Sequence, residues 1–380
     1  MKLDFRGVTA IYGRPGTGKT SLAMRIAHER IAEGQNVLWV SIYEDRETFF
    51  RNAAALGYNL SKAEFWDMIF VKPEIILNQI VSAASQGNYG LVVVDSISAL
   101  VENIQSREYL INAVYRVFKP SNIDFIGIAE EESATPLDYI ADNLLRMEVR
   151  LENGVAERRM YVMKARGRRA GYYVEFDILE GQGVVFLDDL PRPVAREPWE
   201  RPVDSLFSAV GSVRGGRAYL FAGRGLTPLL ARAAAELSRE GLKVLYRVLL
   251  RDASVASALV EKFGGRAVVQ RVEPRPQSHF THIKGLYETL AETDADVLIS
   301  EGVDVEFLVY GRKALDINRR ELEELRKLGI AVFLNVDREC GLRPFADVLI
   351  KVSGDQVAVY SAQGRALCRY ETAPAPRLVC

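Results

Sequence analysis

GVTAIYGRPGTGKTSLAMRIA (7–27) is an apolar, β-branched run followed by a glycine-rich loop and then by a helical pattern. The loop GRPGTGKT (13–20) fits the spacing G-x-x-x-x-G-K-[ST], in which glycines let backbone N–H groups point into one hollow. That hollow lies at a helix N-terminus, whose partial positive charge favours phosphate. The order strand, loop, helix predicts a nucleotide site rather than a glycine-rich turn without function. The residues predicted to contact the nucleotide are Gly13, Arg14, Pro15, Gly16, Thr17, Gly18, Lys19, Thr20 and Ser21.

Three side chains around this loop predict ATP and Mg²⁺ as ligands. Lys19 places a positive charge near the β- and γ-phosphates, and the Thr20 hydroxyl is a magnesium ligand in loops of this kind. LVVVDSIS (91–98) is an apolar strand that ends in Asp95, which places a carboxylate at the edge of the sheet where ligands bind. Asp95 is therefore predicted to hold Mg²⁺ together with Thr20. The alternative for Asp95 is a simple turn or helix cap.

Two acidic residues, Glu44 and Asp45, follow the strand predicted at VLWVSIY (37–43). A carboxylate at this strand end can reach the water that attacks the γ-phosphate, so Glu44 is the predicted general base. The alternative is an acidic helix start, where negative charge is favourable without any catalytic role.

A basic segment, MKARGRRAG (163–171), brings Lys164 and Arg166 together with two further arginines. Three interpretations compete: cations that cross a subunit interface to a neighbour's γ-phosphate, a nucleic-acid patch, or a solvated hairpin. A cation at the transition state accelerates phosphoryl transfer, whereas basic clusters on hairpins are more often only solvated.

Length and composition limit the class of protein. The 380 residues suit two domains, and the apolar share of 48% with 26% charged residues is typical of a soluble globular protein. The formal net charge of -1 indicates no general attraction to nucleic acid or to membranes. No apolar run approaches the roughly 20 residues of a membrane span. The start MKLDFRGV lacks the apolar stretch of a signal peptide, so we expect a cytoplasmic protein without a membrane partner.

The three cysteines, Cys340, Cys368 and Cys380, lack the spacing of metal ligands, which argues against zinc. We interpret them as small, partly buried apolar side chains. Scarce Gln beside abundant Arg, Glu and Val is typical of a thermophilic or archaeal source, where an intracellular disulfide is the alternative for these cysteines.

The order of predicted elements indicates an α/β fold. Apolar β-branched runs alternate with helical patterns through the first half, which predicts a mostly parallel central sheet with flanking helices. Residues 144–187 then predict antiparallel strands joined by glycine-containing turns. PRPVAREPWERP (191–202) predicts a linker, so the expected domains are 1–190 and 203–380.

An internal repeat relates the two halves. Gly16 and Gly223 are 207 positions apart, and the same ungapped offset matches Thr20 with Thr227 and Gly57 with Gly264. A register of this length predicts two copies of one fold, and hence two tandem domains with the same sheet.

The second copy lacks the residues that carry the predicted chemistry. Leu226 stands for Lys19, and a leucine cannot neutralise phosphate. Arg251 stands for Glu44, and VLISEG (297–302) replaces LVVVD with no clear Asp at the matching place. On the last strands, Lys164 and Arg166 fall on Ser361 and Gln363. The second domain is therefore predicted to be noncatalytic, with a structural or regulatory use; a different site built on Arg251 and Glu301 is the alternative.

These residues together resemble the RecA superfamily of ATPases, and within it the KaiC-like branch. The segments that carry the resemblance are GRPGTGKTSLA, WVSIYEDRETFFRNAAALG, LVVVDSIS, DYIADNLLRM, VMKARG and FDILEGQGVVF. The resemblance implies tandem RecA-like P-loop domains and a ring of identical subunits, often hexameric. It also implies that Lys164 and Arg166 are similar to a K-x-R-G element that reaches the neighbouring subunit's nucleotide, which gives both a catalytic role in trans.

One departure from the family pattern bears on activity. The family has paired glutamates after the second strand, whereas here Tyr43 takes the first place and Glu44 the second. We therefore expect an ATPase that hydrolyses slowly or switches with nucleotide state, and that relays this state to an unidentified regulatory protein. The alternatives are a RadA-like DNA recombination or repair paralogue and a nucleotide-sensing scaffold with little turnover. Nucleic acid is the less favoured partner because the charge is near neutral.

Overall fold

The computed structural model describes residues 4–69, 71–86, 88–100, 104–130, 136–152, 155–274, 279–338, 340–362 and 364–380. The chain divides into two compact units, the first ending at Asp189 and the second beginning at Leu190. In the described parts of the chain, no helix is both long and apolar enough to cross a bilayer.

Within the described residues, the first unit is built on one nine-stranded sheet. Its strands are β1 (Val8–Gly13), β2 (Val37–Ser41), β3 (Glu64–Asp67), β4 (Leu91–Asp95), β5 (Asp124–Ala129), β6 (Asn143–Glu152), β7 (Val155–Ala165), β8 (Tyr172–Leu179) and β9 (Gly183–Phe186). They lie in the order β3-β2-β4-β5-β1-β6-β7-β8-β9. The pairs among β3, β2, β4, β5, β1 and β6 are parallel, and β8 pairs antiparallel with β7 and β9.

Helices cover both faces of this sheet. They are α1 (Lys19–Ala32), α2 (Arg46–Ala55), α3 (Pro73–Gln86), α4 (Ile104–Ala113), which continues as a π-helical turn (Val114–Phe118), and α5 (Pro136–Ile140). Side chains alternate along β2: Trp39 packs toward α1 and α2, whereas Leu38 and Val40 pack toward α3 and α4. Because both faces are buried, the central strands are almost continuously apolar, as the sequence predicts.

The second unit repeats the plan. Its small hairpin is β10 (Glu200–Pro202) with β11 (Ser212–Arg214), and its sheet contains β12 (Ala218–Ala222), β13 (Val244–Leu249), β14 (Val268–Val272), β15 (Val297–Glu301), β16 (Ala331–Val336), β17 (Val348–Ser353), β18 (Gln356–Ser361), β19 (Gly364–Glu371) and β20 (Arg377–Val379). The helices are α6 (Phe207–Val210), α7 (Thr227–Arg239), α8 (Ala253–Lys262), α9 (His279–Thr293), α10 (Asp304–Tyr310) and α11 (Lys313–Lys327). The strand order, β14-β13-β15-β16-β12-β17-β18-β19-β20, matches that of the first unit strand for strand. The predicted fold class of two tandem α/β domains with mostly parallel sheets is confirmed.

The segment 191–202 packs along the second unit. The Arg196 N–H donates to the carbonyl of Leu328 at 2.8 Å, and its guanidinium pairs with Asp294 at 2.5 Å and Asp296 at 3.0 Å. Its last residues form β10. These contacts give the Pro-rich segment a fixed course over the second domain's surface.

The cysteines differ from the sequence-based interpretation. Cys368 on β19 and Cys380 after β20 are joined by a disulfide, and Cys340 is free. Treating all three as ordinary partly buried side chains was wrong, because pairing of β19 with β20 brings two of them together.

Candidate nucleotide-binding site

The glycine-rich loop follows the carboxyl end of β1 and leads into α1. Gly13 has a φ of 155°, and a Cβ there would lie 2.4 Å from the carbonyl oxygen of Met147 on β6. Gly18 has a φ of 96°, and a Cβ there would lie 2.6 Å from Ile178. Both positions therefore require glycine. Arg14 and Pro15 are exposed on the outer side of the loop, and Ser21 lines the adjoining cavity.

Lys19 is folded into the loop it belongs to. Its side chain is only 7% exposed, and Nζ donates to the carbonyls of Gly13 at 2.8 Å and Arg14 at 3.1 Å. Burial lowers the pKa of Lys19, against the opposing influence of Glu130 and Asp95. The ammonium is thus centred in a ring of backbone groups, where it can meet a phosphate.

Thr20 and Asp95 are brought together from α1 and β4. The Thr20 hydroxyl donates to Asp95 Oδ2 at 2.8 Å. Desolvation, together with the nearby carboxylates of Glu44 and Glu130, raises the pKa of Asp95 to about 6, whereas Thr20 and Lys19 oppose the shift. The peptide bond from Asp95 to Ser96 is cis. A desolvated carboxylate beside a hydroxyl, next to a phosphate loop, suits a divalent cation.

A cavity of about 530 Å³ adjoins this pair. Its lining includes both acidic and apolar side chains. The acidic ones are Glu44, Asp95 and Glu130, and the apolar ones are Met24, Ala55 and Leu56. Sequence reasoning missed Glu130, which follows β5 as Asp95 ends β4. The signal was present, since DFIGIAE (124–130) is an apolar strand followed by an acidic residue.

Glu44 lies at the start of α2 and lines the cavity. Asn52 donates to Glu44 Oε1 at 2.6 Å, and the Ser41 hydroxyl donates to the Glu44 carbonyl at 2.7 Å. Desolvation raises the pKa of Glu44, partly offset by the hydrogen bond from Asn52. Asp45 caps α2 by accepting from the Thr48 N–H at 2.9 Å. Asp45 therefore provides the acidic helix start, whereas Glu44 occupies the position in the cavity.

The donor set around the cavity fits magnesium. Among the described residues, no group of three or more His, Cys, Asp or Glu side chains could hold a metal ion. Mg²⁺ does not need one, because it binds through one or two carboxylates and completes its shell with substrate phosphates and water. Thr20 and Asp95 are the residues that would hold it.

Comparison with known proteins agrees with this geometry. The family model for the KaiC ATPase matches residues 4–190. Residues 4–190 are a KaiC-like ATPase domain of the RecA superfamily. Over 204 residues, the chain is 25% identical to the circadian clock protein KaiC2 of Synechocystis sp. This alignment covers 48% of this chain and 36% of the relative. Over 193 residues, it is 27% identical to the DNA repair protein RadA of Campylobacter jejuni, covering 47% of this chain and 42% of the relative. The matched region is thus less than half of either relative.

Lys164 and Arg166 lie away from the phosphate loop of their own KaiC-like domain. Lys164 Nζ donates to the carbonyl of Asp138 at 3.1 Å, and Arg166 pairs with Asp142 at 3.1 Å. Asp142 directly precedes β6, which runs parallel to β1, so Arg166 lies at the end of the sheet where β1 begins. The phosphate loop follows the other end of β1. The structure therefore does not bring these two residues together with Lys19 and Asp95.

The second domain has a shorter loop than the ungapped repeat suggests. Gly13 has Met147 as its partner on β6, and a Cβ at Gly223 would similarly lie 2.7 Å from the carbonyl oxygen of Val352 on β17. Gly223 is therefore the counterpart of Gly13, and the predicted match with Gly16 is wrong. Because Thr227 still matches Thr20, GRGLT (223–227) is three residues shorter than GRPGTGKT. Several backbone groups of a phosphate loop are missing there.

Glu301 occupies the place of Asp95 in the second domain. It ends β15 as Asp95 ends β4, and Thr227 donates to it at 2.5 Å. VLISEG has no Asp at this place, as expected from the sequence, but its Glu301 makes the corresponding contact with a threonine hydroxyl. Leu226, at the place of Lys19, is buried in the core. The second site keeps an acid and a hydroxyl but has no lysine.

Proposed function

We propose that the first domain binds ATP with Mg²⁺ and hydrolyses it slowly. The observation that carries the proposal is one cavity that is lined by Glu44 and by the Thr20–Asp95 pair, with Thr20 directly after Lys19 in the chain. A lysine alone would suit any anion, whereas this combination suits a metal-bound triphosphate and an attacking water.

Each residue has a distinct role in this proposal. Lys19 gives up its bonds to the loop carbonyls and neutralises the β- and γ-phosphates, and the loop amides enclose them. Thr20 and Asp95 hold Mg²⁺, which when bound neutralises charge on the phosphate oxygens. Glu44 orients the attacking water and accepts its proton.

The position of Lys164 and Arg166 supports a homo-oligomer. Arg166 lies at the opposite end of the sheet from its own phosphate loop, so a head-to-tail arrangement of subunits would bring it, with Lys164 two positions before it, to a neighbour's γ-phosphate. A closed ring satisfies this geometry for every subunit. Their contacts with Asp138 and Asp142 are equally compatible with a solvated hairpin, and disruption of both cations decides between the two.

The second domain is proposed to be noncatalytic. Its loop is shorter, Leu226 replaces Lys19, and Arg251 replaces the general base. We propose that it relays the nucleotide state of the first domain to a regulatory protein partner in the cytoplasm. Such a role needs the fold but not the chemistry.

Hydrolysis by wild type, Lys19→Ala and Glu44→Gln tests the assignment. Lys19→Ala should lose ATP binding, while Glu44→Gln should bind ATP and lose turnover by about 10²-fold or more. Arg251→Gln, the matched change in the second domain, should leave turnover unchanged. Nucleotide counting should give one ATP per chain. Equal rates in all four proteins, or two nucleotides per chain, would remove the proposal.

A scaffold that senses nucleotide without turning it over is the second candidate. The specific observation is Tyr43, which is 65% exposed at the cavity where the family places a first glutamate. Tight ATP binding with no hydrolysis, in isolated protein and in cell extract, would favour it. A RadA-like role has less support, because Arg168 donates to Asp4 O and Asn143 and so is partly used within the fold.

A further inference from the structure

We propose that Asn52 is a positioning residue that holds the carboxylate of Glu44 in the cavity. The proposal rests on the function proposed for Glu44. It concerns a residue that touches the general base but neither ATP nor the metal ligands.

The contact is direct and short. Asn52 Nδ2 donates to Glu44 Oε1 at 2.6 Å, and both residues line the cavity beside Asp95. Asn52 lies on α2, eight positions after Glu44, so its side chain reaches back along the helix to the strand end. A neutral amide donor can fix a carboxylate without adding a charge next to the substrate.

Ser41 fixes the main chain at the same residue. Its hydroxyl donates to the Glu44 carbonyl at 2.7 Å and accepts from the Glu44 N–H at 3.0 Å, and the side chain is only 2% exposed. Backbone and carboxylate of Glu44 are therefore constrained by separate residues. Among the described residues no hydrogen bond reaches the other carboxylate oxygen, Oε2, which leaves it available to a water molecule.

The hydrogen bond from Asn52 also favours the ionised form that a base requires. Desolvation raises the pKa of Glu44, and the bond from Asn52 is the largest opposing influence. The other charged groups that act on this carboxylate or share its cavity are Asp45, Arg51, Asp95 and Glu130. Because three of these four are acidic, loss of the amide leaves the carboxylate in a setting that favours protonation.

The second domain provides an internal comparison. Arg251 stands for Glu44, and its two supporting residues have gone as well: Val248 stands for Ser41 and Leu259 for Asn52. The match is structural, since Asp252 caps α8 as Asp45 caps α2. The hydroxyl and carboxylate of the metal pair persist there in Thr227 and Glu301. The residues that support the base have thus been replaced together with it, independently of the metal pair.

The test is Asn52→Leu, which introduces the residue of the second domain at an exposed helical position. We expect kcat to fall about tenfold with an unchanged KM for ATP, and the acid limb of the pH–rate profile to move to higher pH. Asn52→Gln, which keeps the amide, should recover part of the rate. Leu259→Asn, the reverse change in the second domain, should alter neither quantity.

A readout that needs no hydrolysis separates this inference from the proposed function. In protein labelled with ¹³C-glutamate, the Glu44 carboxyl signal is identified by its loss in Glu44→Gln, and Asn52→Leu should raise its pKa. If wild type shows no turnover, the proposed function fails, and this titration still decides the role of Asn52. An unchanged Glu44 titration in Asn52→Leu, with circular dichroism confirming an intact fold, would overturn the inference.

Discussion

Arg251 Nη1 lies 3.7 Å from Glu301 Oε1 in the second domain, at the positions that Glu44 and Asp95 hold in the first. The same guanidinium pairs with Asp337 at 2.8 Å. The first domain collects acidic side chains around its cavity, where Lys19 and Thr20 only partly oppose the rise in the pKa of Asp95. The second domain supplies a cation at the place of Glu44 from its own chain. Arg251 therefore offsets part of the charge of Glu301.

Removal of this internal cation should destabilise the second domain. Arg251→Ala removes the positive charge beside the carboxylate of Glu301, whose side chain is 2% exposed, and leaves its hydrogen bonds from Thr227 and Tyr246 in place. We expect the free energy of unfolding to fall by about 1–2 kcal/mol, between the values for exposed and for buried ion pairs. Thermal and urea denaturation measure this.

Arg224→Ala is the matched control. Arg224 also pairs with Asp337, at 3.2 Å, but its side chain is 74% exposed. Loss of this exposed ion pair should lower the free energy of unfolding by less than about 0.5 kcal/mol. If both variants are as stable as wild type, Arg251 does not balance the buried carboxylate of Glu301.

Magnesium-dependent ATP binding should weaken in acid because of Asp95. Its pKa is raised to about 6, chiefly by desolvation, so the carboxyl takes up a proton as the pH falls through that value. A protonated carboxyl cannot hold Mg²⁺, and the affinity contributed by this residue should fall about tenfold per pH unit below 6. Isothermal titration calorimetry from pH 5 to 8 measures the effect.

Asp95→Asn isolates this contribution. The titration of ATP itself is common to both proteins, so the difference between their pH profiles reports Asp95. Wild type should bind more tightly than the variant above pH 6, and the two should converge at pH 5. Parallel profiles over the whole range would show that Asp95 does not hold the ion.

The parts of the site that were predictable lie in short, contiguous segments. Lys19 and Thr20 are fixed by the spacing of one loop, and the strand that ends in Asp95 is a continuous apolar run. Glu130 was missed although the apolar run DFIGIA directly precedes it, as LVVV precedes Asp95. Asn52 was not predictable, because it approaches the cavity only when α2 packs beside β2 and β4, and its neighbours in the sequence carry no pattern that marks the contact.

The repeat shows why register is harder to predict than fold. The helices and strands that follow Thr20 and Thr227 have equal lengths, so the offset between the two domains stays constant as far as Gly57 and Gly264. The two-domain architecture was therefore predictable. A three-residue deletion just before Thr227 is invisible to an ungapped comparison, because glycines recur within the loop. Strand pairing resolves it, since a strand must match its neighbours residue by residue.

A buried acidic residue should make the second domain lose stability as the pH rises. Glu321 on α11 is desolvated and lies near Glu306, and both effects raise its pKa to about 8, against the attraction of Arg247. His282 and Asn318 bond Glu306 in the same cluster. The folded state therefore favours neutral Glu321.

The sign of this pH dependence follows from the raised pKa of Glu321. The contribution is complete below the ordinary pKa of 4.5 and is lost as the pH rises through 8, with a slope of at most about 1.4 kcal/mol per pH unit. Denaturation between pH 5 and 9 should show this decline, and Glu321→Gln should flatten it. Glu323→Gln, at an exposed position of the same helix, should keep the wild-type slope. A wild-type slope in Glu321→Gln would contradict the assignment.

The disulfide should hold the last strand of the second domain in place. Cys368 and Cys380 are 12 positions apart. A closed loop of this length reduces the entropy of the unfolded chain and so stabilises the folded state by about 3 kcal/mol. Replacing both cysteines by serine should lower the melting temperature of the second domain by several degrees, and a reducing agent should do the same to wild type. Cys340→Ser is the control for loss of a thiol outside the bridge.

Alkylation provides the direct measurement. Under non-reducing conditions only Cys340 should react, and slowly, because burial and the nearby Asp304 raise the pKa of its thiol to about 11. Only the thiolate reacts readily, so the rate should rise steeply with pH. After reduction in denaturant, three thiols should be alkylated. Three reactive thiols without reduction would contradict the disulfide between Cys368 and Cys380.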